Sequence, residues 1–162
     1  MNELTFRMAV PGDEHTILDI ILELARYEKL EHEVVATPEL LHEWLFEKEK
    51  AEVLLAEVDG IVVGSALFFH NFSTFLGRAG IYLEDLFVRP EYRGRGYGKA
   101  LLQKLASITV ERGCGRLEWS CLDWNQPSIN FYTKRMHAVP MDGWTVYRLS
   151  GETLEKAAAE EV

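Results

Sequence analysis

The pattern of apolar and polar positions predicts that the chain begins with a strand followed by two helices. Residues 4–9 alternate apolar and polar side chains, as a half-buried strand does. Four apolar residues of the next segment recur at the i, i+3, i+4, i+7 spacing of an amphipathic helix: Ile17, Ile20, Ile21 and Leu24. This helix should have Asp13 as its N-cap and end near Lys29. Thr37 stands before a proline, which predicts an N-cap and a second helix over Pro38–Lys48.

The middle of the chain carries the strongest strand signals. Glu52–Val58 and Ile61–Asn71 are apolar runs joined by Asp59-Gly60, which predicts a β-hairpin. Ala79–Val88 is predicted as the next strand, and it runs into a loop rich in arginine and glycine. Helical spacing resumes directly after this loop and predicts a helix over Tyr97–Arg112.

The last third of the chain predicts shorter elements. Arg116–Leu122 and Thr145–Leu149 are predicted as strands, and Ser128–Arg135 as a short helix between them. Gly151–Glu161 is polar and rich in alanine, which predicts a frayed terminal helix. The order of elements predicts a mixed α/β sheet with helices packed on it, within a single domain spanning residues 1–162.

Composition narrows the class of protein. The chain has 162 residues, of which 48% are hydrophobic, so it can bury a substantial core. The longest apolar run, Ile61–Phe69, is too short to cross a bilayer. The first eight residues contain an acid and no continuous apolar segment, so we expect no signal peptide. Two cysteines, Cys114 and Cys121, imply no disulfide framework and favour a reduced, cytoplasmic protein.

The charge balance is strongly acidic. The net charge is −9, from 17 basic and 26 acidic side chains. A surface of this sign repels nucleic acid, so we expect no DNA or RNA partner. It permits a cationic substrate without identifying one, because acidic charge also serves solubility.

The segment after the strand predicted over residues 79–88 has the composition of a phosphate-binding loop. Closely spaced glycines let backbone N–H groups converge without Cβ clashes, and the following helix offers the free N–H groups and the dipole of its N-terminus. Interleaved cationic side chains add positive charge. These residues are Gly94, Gly96, Gly98, Arg93, Arg95 and Lys99.

Three known devices compete for this pattern. A Walker A loop fails because Arg93 stands at its first glycine and Ala100 at its magnesium-binding hydroxyl. A Rossmann fingerprint matches two glycines and finds an acid, Glu118, about twenty residues on, but Lys99 occupies its third glycine. The third device is R-G-x-G-x-G after a strand that ends V-x-P-x-Y, and the sequence supplies both parts.

Leu83–Lys99 resembles the acetyl-CoA-binding motif of the GNAT superfamily of N-acetyltransferases, and Trp124–Tyr132 resembles its downstream N-x-x-x-x-x-F-Y segment. With Tyr27-Glu28, Tyr82–Asp85 and Gly143-Trp144 in collinear order, the chain is similar in particular to the spermidine/spermine (diamine) N-acetyltransferases and the thialysine acetyltransferases. The resemblance implies a mixed, mostly antiparallel central sheet that is splayed at the acetyl-CoA site and flanked by helices.

The resemblance also implies acetyl-CoA as co-substrate, with no metal. The loop would hold the pyrophosphate, the end of the preceding strand would offer backbone groups to the pantetheine arm, and the downstream motif would complete the site. The implied cofactor-binding residues are Leu86, Phe87, Val88, Arg93, Gly94, Arg95, Gly96, Tyr97, Gly98, Lys99, Asn125, Gln126, Pro127, Ser128 and Tyr132.

For catalysis, the resemblance implies Tyr132 as general acid toward the departing thiolate and Glu84 as general base acting through water. A base is needed because a primary amine with a pKa of roughly 10.4 is almost fully protonated at neutral pH. Strand alternation should place Glu84 and Asp85 on opposite faces, so that one of them faces the cleft. The implied substrate contacts are Tyr27, Glu28, Glu84, Glu118, Trp119, Ser120 and Asp142.

The implied activity is direct acetyl transfer to a primary amine of a small cationic substrate, which could be a polyamine, a diamine or a thialysine-like amine. Met136 and His137 replace the glycine-containing segment usual in the family, so the substrate wall over residues 136–143 should differ. Two alternatives are a protein or peptide N-acetyltransferase and a non-catalytic acyl-CoA sensor. Because family members are commonly homodimers, we also expect a homodimer.

Overall fold

The computed structural model describes residues 3–160, which fall into two compact units, Met1–Ser120 and Cys121–Val162. The first unit holds the sheet, and the second consists of short helices and irregular chain. Residues 1 and 2, which open the segment assessed for a signal peptide, lie outside the described range. Residue 161, at the end of the predicted terminal helix, also lies outside it.

Within the described part of the first unit, five strands form one open sheet in the order in which they occur along the chain. They are β1 (Leu4–Met8), β2 (Glu52–Val58), β3 (Ile61–Ser73), β4 (Arg78–Val88) and β5 (Leu117–Trp119). β1 to β4 pair antiparallel, whereas β5 runs parallel to β4. The predicted hairpin and the mixed, mostly antiparallel sheet are confirmed.

The helices of the first unit are α1 (Glu14–Tyr27), α2 (Pro38–His42), which continues as the π-helical turn Glu43–Glu47, and α3 (Tyr97–Glu111). The predicted cap of α2 is confirmed, because the Thr37 hydroxyl accepts a hydrogen bond from the Leu40 N–H at 3.1 Å. No helix in the described part of the chain is both long enough and apolar enough to span a bilayer.

The core lies on both faces of the sheet. On one face, Ile17 of α1 and Leu45 pack with Leu55 of β2 in a buried cluster. Leu55 lies opposite Ser65 in the register, so the neighbouring Gly64 belongs to the other face. There a Cβ added to Gly64 would lie 3.2 Å from Leu101 Cδ1, which shows that α3 packs directly on β3.

Asp13 precedes α1 as predicted, but its carboxylate does not cap the helix. It accepts two hydrogen bonds from the Arg7 guanidinium, at 2.8 and 2.9 Å, and one from the Val10 N–H at 2.8 Å. These bonds hold the pKa of Asp13 below its ordinary value, with Arg7 the largest cause. Asp13 is therefore the N-cap residue of α1, as predicted, but Arg7, which also binds Glu57 of β2, takes its carboxylate.

The second unit contains α4 (Gln126–Asn130), the π-helical turn Phe131–Arg135 and α5 (Gly151–Ala159). The strand predicted over Thr145–Leu149 is wrong, because this segment has no regular structure. Val146 and Tyr147 are 83% and 91% exposed, and no strand of the described chain pairs with them. A strand pattern without a neighbouring strand has no sheet to join.

The close approach of β3 to β4 gives a stability prediction for Gly64→Ala. The new Cβ would lie 2.7 Å from the Phe87 carbonyl oxygen, which belongs to the backbone of β4 and can retreat only if the sheet shifts. We expect the free energy of unfolding to fall by about 1–3 kcal/mol, measured by urea denaturation.

Gly143→Ala is the matched control for this experiment, since nothing lies within 4 Å of the Cβ built there. It should change the free energy of unfolding by less than about 0.5 kcal/mol. Equal unfolding midpoints for the two variants would contradict the close packing at Gly64.

Candidate functional site

The arginine- and glycine-rich loop connects β4 to α3 through a short 3-10 turn at Pro90–Tyr92. Gly94 and Gly96 have φ angles of 80° and 82°, in the left-handed region that glycine adopts without strain. Nothing lies within 4 Å of a Cβ built at either position, so their conformation, not lack of space, requires glycine. The sequence therefore fixes the path of this loop locally.

The loop ends at an uncapped helix N-terminus. Gly96 is the N-cap of α3, and no side chain accepts a hydrogen bond from the first turn. The first intrahelical bond joins the Ala100 N–H to the Gly96 carbonyl at 3.0 Å, and the first turn contains no acid. The N–H groups of Tyr97, Gly98 and Lys99 precede that bond, so they face an anion-binding position at the positive end of the helix dipole.

β4 is paired along its whole length by β3 but only briefly by β5. Pairing with β5 runs from Ile81–Leu117 to Leu83–Trp119, and β5 ends there, shorter than the predicted Arg116–Leu122. β4 continues to Val88, so its last five residues have one open edge. This open edge lies at the end of β4, where the sheet is predicted to splay.

The backbone groups on the open edge can be assigned. The Arg89 N–H donates to the Val63 carbonyl of β3 at 2.8 Å. Because successive residues of a strand direct their N–H and C=O groups to alternate edges, those of Leu86 and Val88 face the open edge. Phe87 directs its own backbone toward β3 and contributes a buried ring, 5% exposed.

A β-bulge interrupts β4 at the predicted catalytic base. Phe68 lies opposite Leu83 and Leu67 lies opposite Asp85, so Glu84 is an extra residue without a partner in the register. Strict alternation, from which the separation of Glu84 and Asp85 was expected, is therefore interrupted at this position. Glu84 is exposed, whereas Asp85 is partly buried.

Two neighbouring carboxylates act on Asp85 at this bulge. Burial, followed by the negative charges of Glu84 and Glu28, raises the pKa of Asp85 from 3.8 to about 6. Burial also raises the pKa of Glu28, which terminates α1. No group of three or more His, Cys, Asp or Glu side chains in residues 3–160 has an arrangement that could hold a metal ion.

The other predicted substrate residues of the first unit have defined partners. Glu118 pairs with the Arg116 Nε at 2.9 Å and accepts a hydrogen bond from the Asn71 amide at 3.2 Å. The Ser120 hydroxyl lies 2.6 Å from the Tyr82 hydroxyl. Tyr27 is 39% exposed in the last turn of α1. Trp119 lies opposite Leu83, where β4 and β5 separate.

The cations of the loop differ in their surroundings. The Arg95 side chain is exposed, with Nη2 3.5 Å from the Glu91 carbonyl and the guanidinium carbon 5.4 Å from the Tyr92 ring. Lys99 is exposed in the first turn of α3. Arg93 instead donates from Nε to the Val88 carbonyl at 2.9 Å. Of these three cationic side chains, Arg93 is therefore the one that hydrogen-bonds to the open edge of β4.

The second unit organises the downstream motif around Asn125, a buried N-cap of α4 whose side chain accepts a hydrogen bond from the Ser128 N–H at 3.4 Å. Gln126 bonds to Asn130 across one helical turn, and Pro127 stands in the first turn. Tyr132 lies in the π-helical turn, its ring centroid 5.5 Å from that of the neighbouring phenylalanine. π-Helical turns are often found at functional positions.

The chain after the π-helical turn explains one departure from the family pattern. Met136 is the C-cap, and His137 follows with a φ angle of 57°. This left-handed position after a helix normally favours glycine. His137 thus adopts a backbone conformation that glycine adopts without strain, and the predicted substrate residue Asp142 follows in an exposed, irregular segment.

Sequence reasoning missed two features of this site. The bulge at Glu84 was not expected, because two adjacent acids in a strand give no signal for one. Arg93 was grouped with the loop cations, because nothing in the sequence shows that its side chain reaches Val88.

Comparison with known proteins matches residues 16–138 to the family described as the acetyltransferase (GNAT) family. The thialysine N-epsilon-acetyltransferase of Bos taurus is 38% identical over 166 residues, covering 95% of this chain and 96% of that protein. The spermidine/spermine N(1)-acetyltransferase-like protein 1 of Homo sapiens is 31% identical over 171 residues, covering 99% of this chain and 24% of that protein.

Among solved structures, an integron cassette protein from the mobile metagenome of V. cholerae matches with a TM-score of 0.78 and 28% identity. The match covers 97% of this chain and 98% of that one. The family resemblance and the fold predicted from the sequence are therefore confirmed.

The raised pKa of Asp85 predicts how stability depends on pH. Because the folded state binds this proton more tightly than the unfolded chain, the contribution of Asp85 to stability falls as pH rises from about 4 to 6 and stays low above that. Asp85→Asn should raise the unfolding midpoint at pH 7.5. The corresponding gain in the free energy of unfolding is at most about 3 kcal/mol and should disappear at pH 4.

Thermal unfolding at the two pH values measures this effect. Asp19→Asn, at an exposed position of α1, is the matched control and should change the midpoint by no more than about 1 °C. A gain of equal size at pH 4 and pH 7.5 would show that the charge of Asp85 is not its cause.

Proposed function

We propose that this chain, which belongs to the GNAT family and is an N-acetyltransferase, transfers the acetyl group of acetyl-CoA directly to a primary amine of a small cationic substrate. Polyamines, diamines and thialysine-like amines form the candidate class. The observation that carries the proposal is the juxtaposition, along β4 and the loop after it, of an acidic bulge, an open strand edge and an anion-binding helix N-terminus.

Acetyl-CoA, when bound, supplies an activated acetyl thioester. The N–H groups at the start of α3 fit its pyrophosphate, and Arg95 and Lys99 supply positive charge beside them. The open-edge N–H and C=O groups of Leu86 and the N–H of Val88 fit the amides of its pantetheine arm, since an extended amide chain can add to a strand edge. In the second unit we assign the remaining contacts to Asn125, Gln126, Pro127, Ser128 and Tyr132.

The acidic bulge fits the amine. Carboxylates and aromatic faces are the groups that bind an alkylammonium, and Glu28, Glu84 and Tyr27 supply both kinds. Glu84 is the proposed base because it is exposed at the bulge, where a water molecule can carry the proton to it. Tyr132 is the proposed acid, which donates its phenolic proton to the thiolate. We assign Glu118, Trp119, Ser120 and Asp142 to the outer part of the amine site.

The proposal includes the setting of the enzyme. We propose a homodimer in the cytoplasm, because the family resemblance implies this assembly and two cysteines imply no disulfide framework. Sedimentation that found only monomer would remove the dimer from the proposal.

A thiol-release assay with acetyl-CoA tests the substrate class. The panel is spermidine, spermine, putrescine, thialysine, lysine and a lysine-containing peptide. We expect turnover with one or more of the small amines. Turnover of the peptide alone would indicate a protein acetyltransferase, and tight acetyl-CoA binding without thiol release from any amine would indicate a sensor.

Tyr132→Phe should lower kcat by about 100-fold or more, since it removes the proton donor for the thiolate and leaves the ring in place. The affinity for acetyl-CoA, measured by calorimetry, should change by less than about twofold. Tyr147→Phe is the control, because that tyrosine is 91% exposed in the same unit. Full turnover of Tyr132→Phe would exclude Tyr132 as the acid.

Glu84→Gln should move the pH–rate profile to higher pH, because without the base the reaction depends on amine that has already lost its proton. The measurement is kcat/KM between pH 6 and pH 10 for the best amine of the panel. Glu111→Gln, exposed at the end of α3, controls for the loss of one negative charge. A larger shift in Asp85→Asn than in Glu84→Gln would assign the base to Asp85.

A further inference from the structure

Arg93 connects three elements of the first unit. Its Nε donates to the Val88 carbonyl at 2.9 Å. Its guanidinium carbon lies 4.9 Å from the centre of the Phe87 ring and 5.2 Å from the centre of the Tyr27 ring. The end of β4, the phosphate loop and the last turn of α1 therefore meet at one side chain.

The bond to Val88 places the guanidinium at the open edge of β4. The Val88 carbonyl faces that edge, as the bond from the Arg89 N–H to β3 shows. Arg93 satisfies this carbonyl and leaves the Val88 N–H on the open edge. A guanidinium is planar and weakly hydrated, so it can lie against two aromatic rings while its Nε–H keeps a directional hydrogen bond.

The contact with Tyr27 reaches the amine side of the site. Tyr27 ends α1, and Glu28 is its C-cap. The chain then turns sharply, because Lys29 adopts a left-handed φ of 62° and the Leu30 N–H bonds back to the Ala25 carbonyl at 2.8 Å. Since Tyr27 is 39% exposed, neighbouring side chains such as Arg93 contribute to holding its ring in place.

The charge of Arg93 is not among those that shift the pKa of Asp85. The two charges that act on the pKa of Asp85 are those of Glu84 and Glu28, and both are negative. A loop cation directed at these carboxylates would neutralise the groups that are to bind an ammonium. Held against two rings and a carbonyl, Arg93 leaves them available.

We propose that Arg93 is a positioning residue for the amine site, fixing Tyr27 against the open end of β4, and not a ligand of the CoA pyrophosphate. The inference rests on the proposed function, because it assigns Arg93 to one of the two substrates of that reaction, the amine, and not to acetyl-CoA. Arg95, which lies on the same loop and bonds to the Glu91 carbonyl instead of to β4, is the contrasting residue that serves the phosphate side.

Steady-state kinetics with both substrates separate the two roles. Arg93→Met keeps an apolar stem but removes the charge and the donor, so the KM for the amine should rise about tenfold. The KM for acetyl-CoA should change by less than about twofold. Arg95→Met should instead raise the KM for acetyl-CoA and leave the KM for the amine nearly unchanged. A rise in the acetyl-CoA KM of Arg93→Met as large as that in the amine KM would overturn the proposal.

A double-variant cycle tests the contact with Tyr27. Tyr27→Leu removes the ring, so Arg93→Met should raise the amine KM much less in that background than in the wild type. Arg93→Lys keeps the charge but loses the planar Nε donor, so it should restore part of the affinity for the amine and provides a second variant should Arg93→Met fold poorly. Additive effects of Arg93 and Tyr27 would contradict the inferred contact.

Thermal unfolding without substrate distinguishes this inference from the proposed function. The proteins compared are the wild type, Arg93→Met, Tyr27→Leu and the double variant. Wild-type protein that releases no thiol with any amine defeats the proposed function, whereas the unfolding cycle still reports the contact. Non-additive unfolding midpoints are expected, and additive midpoints would overturn the role of Arg93 even in an active enzyme.

Discussion

The structure depends on the unequal pairing of β4. One edge of this strand is paired with β3 from Arg78 to Val88, whereas the other is paired with β5 over three residue pairs. Full pairing on one edge fixes the strand in the sheet, and early termination on the other leaves backbone donors and acceptors that need a partner. The strand is thus held rigidly enough to position side chains, and its open edge offers backbone groups to a ligand.

Two opposite electrostatic environments are attached to this strand at a fixed spacing. Glu84 and Asp85 lie at the bulge, and the N–H groups of α3 lie beyond the loop that follows Val88. An anionic and a cationic substrate can therefore bind side by side without their protein ligands neutralising one another. In the proposed site Arg95 belongs to the phosphate side, whereas the Arg93 guanidinium lies against the rings of Tyr27 and Phe87.

Local signals in the sequence predicted the elements whose conformation is decided locally. The hairpin turn at Asp59-Gly60, the cap at Thr37 and the left-handed glycines of the loop all belong to this group. The bulge at Glu84, the early end of β5 and the irregular chain over 145–149 depend on which strands are available to pair. Sequence periodicity cannot report a neighbouring strand, so it gave no sign of the bulge that interrupts the alternation of Glu84 and Asp85.

The acidity of the amine site explains why binding alone would not suffice for catalysis. Carboxylates that attract an alkylammonium stabilise its charged form, so they raise the amine's pKa above the roughly 10.4 of a free lysine-like amine. The stronger the attraction, the smaller the fraction of nucleophilic free amine. By the same reciprocity, a bound ammonium would lower the raised pKa of Asp85 toward that of an ordinary carboxyl, keeping it ionised. A site that recognises its substrate by charge must therefore contain a base within reach of that charge, and the bulge places Glu84 next to Asp85.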